Sequence, residues 1–164
     1  MSTRDDQTLQ TAAKLVGYEA QMLCVSLVAV ANGSILLSDG VKNLVLESFL
    51  LHYRILRDFL YPKGSKKEDD VLAADYVTSW GYSESDWKEV VPDETNRLNK
   101  ALAHLSYKRL DYAENPTLKQ WEFARMFSAL QQAFARFLHL VPPNQRAWFE
   151  LAEKSLAAFQ VAEP

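Results

Sequence analysis

The chain has 164 residues, and a hydrophobic content of 48% with 12% aromatics is enough to fill one core, so a single domain over 1–164 is expected. A formal net charge of −3 excludes a polybasic nucleic-acid binder, though not a local basic stripe. The one cysteine, Cys24, excludes an internal disulfide and reads as a small buried hydrophobe.

The N-terminal MSTRDDQTLQ lacks the apolar core of a secretory signal. The longest apolar run, MLCVSLVAVA, is ten residues, against about 20 for a membrane span. No membrane association and a cytoplasmic location are expected.

Only five glycines and six prolines occur, at the edges of long segments whose apolar residues recur with helical period, which makes the chain all-α. A first helix runs from about Asp6 to Ala31, buries Leu9, Ala12, Leu15, Val16, Leu23 and Leu27, and stops at Asn32-Gly33. Ser38 or Asp39 caps a second, which reaches Tyr61 and is ended by Pro62. Its apolar positions (Val41, Leu44, Val45, Phe49, Leu51, Tyr53, Ile55, Leu56, Phe59, Leu60) cover more than half its circumference. Only a strip of Asn43, Glu47, Arg54 and Asp58 is polar, so this helix should lie at the centre of the bundle, with Arg54 and Asp58 as an i, i+4 pair.

A charged loop, KGSKKEDD, leads into short helical turns at 69–77 and 83–91. A third long helix follows Pro92 and extends to about Tyr112. Asn115-Pro116 opens a fourth that runs to Leu140, with Phe123, Phe127, Leu130, Phe134, Phe137 and Leu138 inward and Arg125, Ser128, Gln132, Arg136 and His139 outward. After Pro142-Pro143 a last helix, Asn144 to Gln160, packs Trp148, Leu151, Ala152, Leu156 and Phe159. The expected fold is an antiparallel bundle of about five long helices, with short helical turns between the second and third.

No glycine-rich phosphate loop, GxSxG, HExxH or CxxC is present. With one cysteine and His52, His104 and His139 far apart in the chain, no metal and no cofactor are expected. His52, with Ser48 in the apolar arc of the second helix, reads as a hydrogen-bonded core histidine, and His139 as a cation at a helix C-terminus.

The stretch RLNKALAH, 97–104, is the candidate for chemistry. On a helical wheel Leu98, Ala101, Leu105 and Tyr112 face the core, while Arg97, Lys100, His104 and Lys108 form a cationic flank. A third sector holding Asn99, Ala103, Ser106 and Leu110 is too apolar for full solvation and suggests a partner subunit. Arg109 lies near the core side and needs a carboxylate, for which Glu47 is a candidate. Such a stripe is commonly a solvated flank. Read functionally, His104, with an unperturbed pKa of about 6.5, can move a proton at a ribose 2′-hydroxyl or a leaving oxygen. Arg97 beside it can hold the phosphate, Lys100 and Lys108 adding positive field.

An all-helical chain with Arg, six residues, then His on a late helix resembles the HEPN superfamily. The segments ESFLLHYRILRDFL, DDVLAADYV and RLNKALAHLSYKR also look like those of a group of bacterial all-helical proteins. The resemblance spans roughly 40–110. It implies a HEPN-like bundle that dimerises, with active members cleaving RNA without metal at a site shared between subunits. On that basis Arg97 and His104 would be catalytic, with Asn99 and Lys100 beside them. RNA would be the substrate and an antitoxin-like protein a further partner. The alternative is a non-catalytic homodimeric interaction module.

Overall fold

The computed structural model describes residues 4–32, 38–64, 69–91, 97–98 and 121–159. Among these residues every regular element is helical: the fold is an all-α bundle.

Helix α1, Asp6–Asn32, starts where Asp5 Oδ1 accepts the Thr8 backbone N–H at 2.7 Å, which satisfies one of the free donors of the first turn. Helix α2, Asp39–Leu60, has Ser38 as its extended N-cap and closes with the Tyr61 N–H on Arg57 O, just before Pro62. A single 3₁₀ turn, Ala73–Asp75, and a short helix α3, Glu84–Val90, follow. Both start on a carboxylate reaching back, Asp75 to the Leu72 N–H and Asp86 to the Ser83 N–H. Arg97 and Leu98 are helical, and Leu98 is fully buried, as its wheel position requires. Helix α4 spans Phe123–Leu140. The chain then runs through α5, Pro143–Arg146, a 3₁₀ turn, Ala147–Phe149, and α6, Glu150–Ala157.

Side-chain pairs fix the helix directions. Glu19 meets His52 and Ser26 meets Ser48, so α1 and α2 are antiparallel. Phe127 meets Phe159 while Phe137 meets Phe149, so α4 and the closing segment are antiparallel too. Across these pairs, α1 runs parallel to α6 (Gly17 to Leu151, Cys24 to Ser155) and α2 parallel to α4 (Phe49 to Phe123, Phe59 to Phe137).

The centre is aromatic. Phe59, Tyr76, Phe137 and Phe149 pack edge-to-face, with Phe137 and Phe149 centroids 5.1 Å apart. Each such ring taken fully out of water contributes about 1.5–3 kcal/mol. The polar ends are satisfied: Tyr76 Oη donates to Leu9 O at 2.9 Å and Trp80 Nε1 to Leu60 O at 2.6 Å.

Four expectations need correction. Leu15 is 60% exposed, because it projects from α1 away from the core line of Ala13, Val16, Ala20 and Leu23. The second helix is not wrapped on all sides: Val41, Leu44, Leu51 and Ile55 are exposed. The fourth helix is not continuous from Pro116, since Trp121 and Glu122 are non-helical; Trp121 packs on the core, and helical geometry begins only after Glu122 (φ −84°, ψ 64°). The last helix is broken by the 3₁₀ turn, whose tighter winding places Phe149 in the aromatic centre. Phe149, absent from the expected core, is fully buried, whereas Leu151 is 46% exposed. The third long helix beyond Leu98, the Gly33 stop and the Asn115-Pro116 start lie outside the described residues.

Candidate functional site

Of the sequence-predicted site, the described residues include Arg97 and Glu47 only. Asn99, Lys100, His104, Lys108 and Arg109 lie outside them. The Arg97 guanidinium stands 4.4 Å from the centroid of the Trp121 ring. An indole face attracts a cation and holds a planar guanidinium in place. Arg97 is half-buried there, while its neighbour Leu98 anchors the segment in the core. Glu47 is an exposed residue of α2.

Sequence reasoning missed the α1–α2 hairpin as a site. Along the groove between the two helices runs a polar seam: Ser26 Oγ and Ser48 Oγ share a hydrogen bond of 2.8 Å, and His52 Nδ1 donates to Glu19 Oε2 at 2.6 Å. A carboxylate accepts only, so this bond puts the ring proton on Nδ1. The Tyr18 ring meets His52 edge-on, with centroids 6.2 Å apart. Thus His52 is the buried, hydrogen-bonded histidine its position suggested.

Flanking this seam on the outer side are two apolar stripes. From α1 come Leu15, Tyr18 and Val25, all exposed, with Met22 partly so between them. From α2 come Val41, Leu44, Leu51 and Ile55. Each set follows i, i+3, i+7 spacing and so forms a line along its helix. Both lines border the seam, and together they make one continuous face. The signal was present in the sequence: α1 has mean hydropathy 1.4 and the length and composition to cross a membrane, yet only 39% of that window is buried. Its apolar character exceeds what the core uses.

A second recess lies on the opposite flank of α1, between it and α6, lined by Gln21, Cys24, Val28, Ser155 and Phe159 with a volume of about 320 Å³. There Cys24 Sγ donates to Ser155 O at 3.2 Å, and burial pushes the thiol up to about 11. Among the described residues no three of His, Cys, Asp and Glu come together as a metal-binding group.

No family model, no curated protein and no solved structure matches this chain.

Proposed function

We propose that the chain is a non-catalytic helical interaction module whose working surface is the outer face of α1 and α2. The observation that carries this reading is the apolar line on each helix, with Leu44 66% and Leu15 60% exposed. Contiguous apolar surface beyond a few hundred Å² is rare on a monomer and marks a place where another surface docks. Every polar side chain in the seam already has a partner within the hairpin, so covering the face strands none of them. A photoreactive residue placed at Leu51 or Tyr18 is expected to give a discrete adduct in cells making the protein. Adducts no stronger than those from exposed Glu89 would refute the reading.

The HEPN resemblance supports a second reading, a metal-independent endoribonuclease of toxin or defence type. The observation in its favour is the guanidinium of Arg97 fixed over Trp121, since a cation held in place is ready to receive a phosphate and an aromatic plane can stack a base. His104 would then serve as general acid or base. The test is an RNase assay with EDTA present on the parent, Arg97→Ala and His104→Ala proteins. Cleavage by the parent that both variants lose, with helical content kept, establishes this reading; no cleavage by any of the three removes it.

A further inference from the structure

Resting on the interaction reading, we infer that the occupant of the α1–α2 face is a second copy of this chain, related by a two-fold axis parallel to the two helices.

The hairpin register carries the argument. The Glu19–His52 and Ser26–Ser48 bonds set Lys14 level with Asp58, Tyr18 with Ile55, Met22 with Leu51 and Val25 with Ser48. A two-fold axis along the helices keeps those levels and lays α1 of one copy over α2 of the other. Each apolar line then meets the opposite one at the same height. Neighbouring helices across the interface are antiparallel, the up-down arrangement of a four-helix bundle.

Charge follows the same rule. Lys14 sits at the outer edge of α1, whereas the outer edge of α2 carries Glu47 and the Arg54–Asp58 pair. The same operation brings the Lys14 edge onto the Asp58 edge, so the rim is self-complementary.

Area is consistent with this. Helix α2, with 22 residues, is about 33 Å long and two helices side by side are about 20 Å wide, giving a face near 650 Å². A stable interface needs roughly 800 Å² of accessible surface per partner. A bilayer surface is the competing occupant, but helices that lie on membranes carry a Lys/Arg-rich polar face. Here the rim mixes both signs and the whole chain is at −3.

The test is sedimentation equilibrium of the full chain, with Leu44→Glu and Leu51→Glu variants checked by circular dichroism. The parent is expected to run at twice the chain mass. Each variant should keep its helical content and weaken association by about 100-fold or more, because a buried unpaired carboxylate is costly. A parent dimer that both variants preserve overturns the inference. A monomeric parent at about 100 μM also overturns it, and melting of Leu51→Glu then tests the underlying reading. Unchanged stability leaves an open face for a different partner, whereas a large loss means the face is covered within the chain and the interaction reading falls too. Co-sedimentation of monomeric parent with phosphatidylcholine vesicles would replace the second copy with lipid.

Discussion

A Cβ built on Gly17 would lie 3.1 Å from Leu151 Cβ, so α1 and α6 touch backbone to backbone at this level. Leu151 Cβ is fixed by its own main chain, and moving it means moving α6. Alanine at position 17 gains helix propensity of about 0.5–1 kcal/mol but meets this contact, so the two effects oppose each other. Gly17→Val has no such balance. It is expected to destabilise the fold by about 1–3 kcal/mol in urea unfolding, the usual cost of overpacking. A neutral Gly17→Val would mean that α6 does not approach α1 this closely.

The Glu19–His52 bond is nearly enclosed, with side-chain exposures of 18% and 10%. Removing either partner strands the other, at about 1–3 kcal/mol. Glu19→Leu and His52→Leu are each expected to cost that much, and the double variant less than the sum, because the orphaned group is gone. Additive losses in the double-mutant cycle would show that the pair has no coupling.

Cys24 should be inert in the folded protein. Burial raises its thiol from 9.0 to about 11, so at pH 8 very little is thiolate. Reaction with a disulfide reagent is expected to follow unfolding, accelerating in denaturant. The same shift sets a pH window. A thiol whose folded value is above its unfolded one stabilises fully below about pH 9, and that stability fades as pH rises through about 11. The buried Tyr61 hydroxyl is also pushed up by burial, which extends the loss further into alkali. Melting temperature should fall above pH 9, and less steeply in Cys24→Ala.

At the acid end the sign reverses. Ser83 donates its backbone N–H and its hydroxyl to Asp86 Oδ2, at 2.7 and 2.8 Å, and these bonds hold that carboxyl below the usual range. Stability from this cap is present above about pH 4 and is lost as pH falls through the lowered folded value. In Ser83→Ala the apparent Asp86 value, followed by NMR, is expected to move up toward that of a free aspartate. An unmoved value would assign the shift to something other than the hydroxyl bond.

Arg97→Ala should change the emission of Trp121, the indole that its guanidinium covers, and cost about 0.5–1 kcal/mol. Arg97→Lys should retain part of the stability but not the flat stacking. Unaltered emission in Arg97→Ala would show that the cation does not rest on this ring.

Helical periodicity made the elements readable: α1, α2 and the inward face of α4 follow the spacing of their apolar residues. Three details escaped it. Leu15 and Leu151 are apolar but sit where no neighbour covers them, and a wheel cannot tell a core line from a docking line. Phe149 is buried because a 3₁₀ turn rotates it inward, a change of winding that a uniform 100° step does not register. Glu19 became the partner of His52 only when α2 folded back along α1, a long-range register that neither helix carries alone. Of the proposed catalytic stretch, the wheel placed Leu98 correctly. The pairing of Arg97 with Trp121 joins segments too distant in sequence for spacing to connect.

The parallel seating of α6 on α1 has a consequence for biosynthesis. The side of α1 that holds Ala13, Ala20 and Cys24 is finished by residues near the far end of the chain. At about 5–20 residues per second, the ribosome takes several seconds or more to make the intervening hundred or so residues. During that interval the hairpin can form, but its inner flank has no cover and Cys24 has no Ser155 carbonyl beside it. The nascent polypeptide is then a substrate for chaperones and for thiol oxidation, and the completed fold withdraws both liabilities together.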